Sequence, residues 1–223
     1  MEKSEIDNEM VEENTLQEGK SYIFYNIVKR TIDIIGSLLG IIALSPVFII
    51  VAIAIKIDSK GKIIFGHVRM GKNGKKISVY KFRTMVSNAA EVFEKFTEEQ
   101  KKEYYTNFKL DNDPRITKVG NFLRKTSLDE LPQLFNILKG NMSIVGPRPI
   151  VEKEIHKYGV YSKKLFSVKP GLTGYWQANG RSNTSYDERV KMDMYYIDNR
   201  CFYIDIKIIL KTVISVIKKD GAV

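Results

Sequence analysis

The chain is poor in the residues from which metal sites and oxidised folds are built. Of its 223 residues one is cysteine, Cys201, and two are histidine, His67 and His156, far apart and without metal-ligand spacing. A lone cysteine excludes an intrachain disulfide and suits a reducing compartment. Histidines so placed read as ordinary surface or satisfied structural groups. A Walker A loop and a glycine-rich dinucleotide fingerprint are also missing, which sets aside ATP and NAD. No internal repeat or low-complexity tract occurs, and 223 residues suffice for one ordinary domain with an accessory element.

Charge is absent from residues 34–55, IIGSLLGIIALSPVFIIVAIAI. At about 1.5 Å per residue this run reaches roughly 33 Å, against roughly 30 Å for the hydrocarbon core of a bilayer. It begins too late and runs too long for a cleavable signal peptide. Ser45-Pro46 interrupts it: Pro46 removes the helical bond to the carbonyl of Ile42, and Ser45 can bond back to that of Ile41. Lys20, Lys29 and Arg30 precede the run, while Lys56, Lys60, Lys62 and Arg69 follow it. A spanning helix normally has its basic excess on one side. Basic flanks on both sides favour a bent, re-entrant hairpin with both ends in the cytosol, a single kinked span being the alternative.

What the chain has in abundance is positive charge. Residues 1–20 carry seven acids and two bases, so the rest holds 34 bases against 19 acids, a charge of +15. Such a body suits nucleic acid, anionic lipid head groups or phosphorylated substrates. The acidic segment 1–20 reads as a disordered tail. Segments 63–69 and 76–82 flank Asn73-Gly74 and predict a β-hairpin. Asn88-Ala-Ala-Glu91 predicts a capped helix to about Tyr105, and Ser185-Tyr-Asp-Glu188 another to about Asp198. From Ile204 to Lys219, apolar residues at helical spacing alternate with lysines. They form a basic amphipathic helix suited either to the membrane interface or to the domain core.

Thr126 to Leu134, TSLDELPQL, allows two readings. In one, Ser127 caps a helix, Glu130 completes a capping box, Leu128, Leu131, Leu134, Phe135 and Leu138 form its buried stripe, and Gly140 stops it. Alternatively Asp129 is the cap, with Pro132 in the first turn. In the other reading Asp129 and Glu130 are a catalytic pair. YKFRTM (80–85), DPRITK (113–118), FLRK (122–125) and VGPRP (145–149) bring Lys81, Arg83, Arg115, Arg124 and Arg148 towards one small domain, more cations than two carboxylates need. Such a group suits a diphosphate. A carboxylate among them can hold Mg²⁺ or attack phosphorus. Gly146-Pro-Arg-Pro149 presents Arg148 stiffly. Lys169-Pro-Gly-Leu-Thr-Gly174, followed by Trp176 to Arg181, is a turn whose glycines admit a ligand or another segment.

These motifs resemble the bacterial sugar transferases, the monotopic phosphoglycosyl transferases, from about Tyr25 to the C-terminal helix. The resemblance rests on KRTIDIIGSLLGIIALSP, YKFRTM, DPRITKVGNFLRKTSLDELPQLFNILKGNMSIVGPRP, KPGLTGYWQANGR and YYIDN. It implies transfer of a sugar 1-phosphate from a nucleotide diphosphate sugar, usually UDP-linked, to polyprenyl phosphate, with release of UMP. Asp129 would be the nucleophile of a covalent intermediate and Glu130 its assistant, both with Mg²⁺ as cofactor. Arg124 and Arg148 match phosphate-binding positions, and Ser45-Pro46 the break of a re-entrant membrane helix. Lys81, Arg83, Arg115 and Arg181 join them as candidate phosphate ligands.

The expected fold is α+β and mainly helical. A tail (1–20) precedes a membrane hairpin (21–60), and residues 61–223 form a compact cytosolic catalytic domain with a small β-hairpin and amphipathic interfacial helices. Expected partners are polyprenyl phosphate, a nucleotide sugar and membrane lipids, with no nucleic acid and homo-oligomerisation left open, at the cytoplasmic face of the bacterial cell membrane. Two rivals remain: a non-enzymatic membrane protein whose carboxylates are helix caps, and a membrane-tethered nucleic-acid binder. The transferred sugar is not legible in these motifs.

Overall fold

A computed structural model describes residues 2–107, 110, 112–180 and 184–218, except for the side chains of 2–21, 105–107 and 216–218. In chain order the elements are α1 (Glu2–Ala43), α2 (Ser45–Asp58), β1 (Ile64–Met70), β2 (Lys76–Phe82), α3 (Ala89–Glu94), α4 (Glu98–Asn107), α5 (Lys118–Lys125), α6 (Gln133–Lys139), β3 (Ser143–Val145), α7 (Ile155–Tyr158), α8 (Ser162–Leu165), β4 (Gly171–Thr173), α9 (Tyr175–Asn179), α10 (Tyr186–Asn199) and α11 (Phe202–Lys218). The chain is therefore mainly helical with small sheets, as expected.

The apolar run is divided between α1 and α2, which are bent by 61° at Leu44. The cause is Pro46, whose ring leaves the carbonyl of Ile42 without its helical donor. Ser45 Oγ donates to that orphaned carbonyl at 2.8 Å, and not to the carbonyl of Ile41 expected from the sequence. Among the described residues no single helix is long and apolar enough to cross a membrane; the bent pair has that length and composition only when its two helices are taken together. The acidic segment expected to be a disordered tail is continuous with α1 in the backbone trace, and its side chains lie outside the described residues.

One face of α1 is tied to the rest of the fold. A Cβ on Gly36 would lie 2.9 Å from Ile144, and one on Gly40 3.2 Å from Leu134, so the small residues of α1 permit its close approach to α6 and β3. Asp33 accepts from Ser143 Oγ at 3.0 Å and from the Ile144 amide at 2.8 Å. Arg30 donates to the last carbonyls of α6, Ile137 and Leu138, at 2.6 and 2.8 Å. Tyr25 and Lys29 reach Asp205 of α11 at 2.9 and 2.6 Å. The opposite face of α1, with Ile35, Leu39 and Ile42, stays exposed, as do Ile49, Ile50 and Ile53 of α2.

β1 and β2 pair antiparallel, with Phe65 opposite Lys81 and His67 opposite Val79, and the turn takes left-handed φ values of 58° at Asn73 and 69° at Gly74. The hairpin expected from Asn73-Gly74 is thus present. Asn136 of α6 extends it sideways: its amide accepts from the Tyr80 N–H at 2.8 Å and donates to the Ser78 carbonyl at 2.7 Å. β3 and β4 pair in parallel, with Val145 opposite Thr173. This pairing joins GPRP and KPGLTG, and the glycines serve the approach of one chain segment to another: a Cβ on Gly171 would lie 2.1 Å from the Gly146 nitrogen.

The segment after the hairpin differs from expectation. Asn88 makes no capping bond, and the single helix expected to Tyr105 is broken into α3 and α4. The cap lies at the break, where Thr97 and Gln100 exchange bonds of 3.0 and 3.3 Å. The break lets Phe93, Phe96 and Tyr104 close around Arg115, with the guanidinium 5.1, 5.2 and 4.9 Å from their ring centres. The Ser185–Glu188 box opens α10 as expected. α11 packs Asp205 and Ile208 into the fold, as the domain-core reading expects, while Tyr203, Ile206, Leu210, Val213 and Ile214 are exposed.

Candidate active site

TSLDELPQL forms no capped helix. After α5, Ser127 takes a left-handed φ of 55°, and Leu128–Glu130 make a single 3₁₀ turn. Pro132 then precedes α6, which ends at Gly140 with φ 86°. Ser127 contributes no capping bond, Glu130 completes no capping box and Asp129 caps nothing. The apolar stripe shifts too: α6 buries Leu134 and Ile137 together with Gln133 and Asn136, and Phe135 and Leu138 are only partly buried. The reason is a long-range competitor for the carboxylates. Lys81 Nζ lies 2.6 Å from Glu130 Oε1 and 3.5 Å from Asp129 Oδ2, so that both side chains turn to one ammonium and away from the helix start.

The two carboxyls are perturbed in opposite directions. Burial pushes Asp129 up, with Glu130 adding to the rise and Lys81 and Arg124 opposing it. Burial pushes Glu130 up as well, but Lys81 and Arg148, with a hydrogen bond from Gln133, more than reverse this and hold it below the usual range. Glu130 is therefore held as a negative charge, and Asp129 is more basic than an ordinary aspartate. Neighbouring carboxylates perturbed in opposite directions by their surroundings are a recurring arrangement at reactive sites.

Of the candidate cations, Lys81, Arg124 and Arg148 gather here. Arg124 donates through Nε to Thr84 Oγ1 at 3.0 Å, and its charge acts on Asp129. Arg148 lines the cleft beside Glu130, on the loop clamped by the bonds Gly146 N–H to Thr173 and Gly171 N–H to Pro147, of 2.9 and 2.8 Å. Arg83 and Arg115 do not join them. Arg83 caps α2, donating to the carbonyls of Ser59, at 2.7 Å, and of Lys60. Arg115 closes on Asp113 at 2.6 Å. Arg181 lies outside the described residues.

His67 and Arg69, both on the face of β1 that looks towards Lys81, were not expected at the site. Together with Lys81, Glu130, Gln133, Arg148 and Gln177 they line an open cleft. Burial, then the charges of Arg69, Lys81 and Arg148, lowers the His67 pKa to about 4, so the ring is neutral at physiological pH. A signal for both was in the sequence, since His67, Arg69 and Lys81 fall on one face under the period of two and the Asn73-Gly74 register. Among the described residues no group of three or more His, Cys, Asp or Glu side chains is placed to hold a metal ion. Asp129 and Glu130 alone offer two carboxylates. That number suits a magnesium ion whose remaining ligands are substrate phosphates and water.

Comparison with known proteins shows the family. The family model for bacterial sugar transferase matches residues 24–219. The undecaprenyl-phosphate galactose phosphotransferase of Salmonella typhimurium is 47% identical over 87% of this chain and 41% of its own length. The UDP-galactose-lipid carrier transferase of Erwinia amylovora is 46% identical over 87% of the chain and 41% of its own length. The exopolysaccharide production protein ExoY of Sinorhizobium fredii is 44% identical, with 88% of each chain covered. The chain thus spans about two fifths of the first two relatives and nearly all of the third. The cation-flanked carboxylates lie within the matched region, and the chain belongs to the bacterial sugar transferase family.

Proposed function

We propose that the chain transfers a sugar 1-phosphate from a UDP-sugar to undecaprenyl phosphate, releasing UMP, at the cytoplasmic face of the cell membrane. The product begins an exopolysaccharide, capsule or glycoconjugate. The observation that carries this reading is the Lys81 ammonium on both carboxylates, 2.6 Å from Glu130 and 3.5 Å from Asp129, beside a cleft lined by Lys81 and Glu130 to which Arg69 and Arg148 add further positive charge. The names of the relatives supply the two substrates.

Asp129 attacks the phosphorus that carries the sugar. An oxygen–phosphorus bond forms as the bond to UMP breaks, and UMP leaves with the electron pair. An oxygen of the lipid phosphate then attacks the same phosphorus and releases the carboxylate. An anionic nucleophile reaches an anionic phosphoryl group only where fixed cations offset the repulsion. Lys81, Arg124 and Arg148 supply that charge. Burial makes Asp129 more basic than an ordinary aspartate, and so a better nucleophile once ionised, while Lys81 favours its ionised form. Glu130, held ionised, keeps Lys81 directed at the pair. Asp129 and Glu130 would hold magnesium, which when bound neutralises phosphate charge.

The bent α1–α2 pair with cations at both ends enters the bilayer and returns. The outer face of α11 lies in the interface, so the site stands at head-group depth, where a lipid phosphate is accessible. The test is UMP release from a panel of UDP-sugars with undecaprenyl phosphate and Mg²⁺, for wild type and Asp129→Asn. Release that needs lipid, metal and Asp129 supports the reaction and names the sugar. No release by folded, membrane-embedded protein returns the chain to a non-catalytic role.

A further inference from the structure

Phe65 has no task in the reaction just described. It lies opposite Lys81 in the β1–β2 register, yet its side chain is 56% exposed. Opposite residues on one face of an antiparallel pair stand about 5 Å apart at Cβ. An uncovered aromatic ring therefore borders the lysine that holds the two carboxylates. Its centre is 6.0 Å from that of His67, with the rings inclined at 58°, and His67 lines the cleft.

The tautomer of His67 follows from its neighbour. The Arg69 guanidinium, which can only donate, stands 3.4 Å from His67 Nδ1. Nδ1 is therefore the acceptor and the ring proton sits on Nε2, leaving one N–H donor for a ligand. The cleft thus divides into two chemistries. Lys81, Arg69 and Arg148 match phosphates, whereas His67 and, at the border, Phe65 offer two mutually inclined ring faces with a single donor. An alkyl chain over these faces would strip water from the adjoining cations without replacing its hydrogen bonds. A nucleobase has a ring face for Phe65 and carbonyl oxygens for the donor.

We propose that Phe65 and His67 form the nucleobase subsite for the sugar donor, the base stacking on Phe65 and a pyrimidine carbonyl accepting from His67 Nε2–H. The proposal rests on the transferase reading and names where its nucleotide is held.

The test is calorimetric titration of UMP, with pyrophosphate as a control ligand, into the full chain in lipid nanodiscs with Mg²⁺. Base–aromatic stacking leads us to expect Phe65→Leu to weaken UMP binding on the order of tenfold and Phe65→Trp to retain it. His67→Phe keeps a ring, loses the donor and also weakens UMP. All three variants bind pyrophosphate as wild type does. UMP affinity unchanged in Phe65→Leu overturns the subsite. So does a rise in KM for undecaprenyl phosphate at unchanged UMP affinity, which assigns the ring to the lipid. Either outcome is read against a wild type that turns over. A wild type that neither binds UMP nor releases it from any UDP-sugar overturns the transferase reading and the subsite together.

Discussion

Two turns of this protein, 113–115 and 128–130, use the same residue types to opposite ends. In the first, Arg115 donates to both oxygens of Asp113 at 2.6 to 3.1 Å, the Arg115 amide adds a bond of 3.0 Å, and three aromatic rings surround the guanidinium. Burial pushes Asp113 up, and Arg115 more than reverses it, leaving the carboxyl below its usual range. In the second, the nearer contact of Lys81 goes to Glu130, and Asp129 is left 3.5 Å away with its pKa raised. A carboxylate whose lone pairs are all engaged holds structure together. One that is buried, basic and incompletely paired among cations is available for chemistry. Arg83, spent on carbonyls at the end of α2, follows the first pattern.

The largest effect expected from breaking this contrast is at Asp129. Asp129→Asn should lower turnover by on the order of 10⁴-fold or more while thermal unfolding is nearly unchanged. Comparable losses of stability and activity would make Asp129 structural like Asp113. Next comes Lys81→Met, expected to cost about 10²- to 10³-fold in kcat. Lys81 opposes the rise in the Asp129 pKa, so its removal lets that pKa climb further. The acid limb of kcat/KM should therefore move to higher pH, and a stationary limb would show that another group titrates.

Asp113→Asn probes the other turn. It leaves Arg115 buried without its counter-charge, so chemical denaturation should register a loss of about 3 kcal/mol, with the kcat of the folded fraction retained. A selective loss of kcat would assign the Asp113 turn to the reaction. The smallest effect concerns His67, whose pKa falls from 6.5 to about 4 on folding. The unfolded chain takes up this proton more readily than the folded one. Wild type should therefore lose stability as pH falls from about 6.5 towards about 4, and His67→Gln should lack that component. Parallel stability profiles for the two proteins would contradict the burial of a neutral ring.

Features governed by neighbours in the chain were legible in advance. Pro46 bends the apolar run, Asn73-Gly74 turns the hairpin, the Ser185–Glu188 box opens α10 and Gly140 stops α6, because each acts over four residues or fewer. The departures from expectation have one common cause. Ser127 and Glu130 satisfy the pattern of a capping box, but a lysine 49 positions upstream of Glu130 takes its carboxylate instead. Asn88 satisfies another, but the rings around Arg115 draw the break to Thr97. Arg83 and Arg115 resemble the other cations in composition, and only their contacts distinguish them. His67 and Arg69 were not expected at the site, although the strand period places them with Lys81.

The sequence by itself determined the local frame: a bent apolar segment flanked by cations, a hairpin, a strongly basic body and a pair of carboxylates in one short turn. Which cations meet that pair was decided by tertiary structure alone. The β1–β2 register carries Lys81 and His67 to one face, and the parallel pairing of β3 with β4 clamps the loop of Arg148 beside them. The physical reason is range. Helix caps, prolines and turns act through bonds a few residues long. The proton affinity of a buried carboxyl depends instead on every charge and every lost water within several ångströms, whatever its distance along the chain.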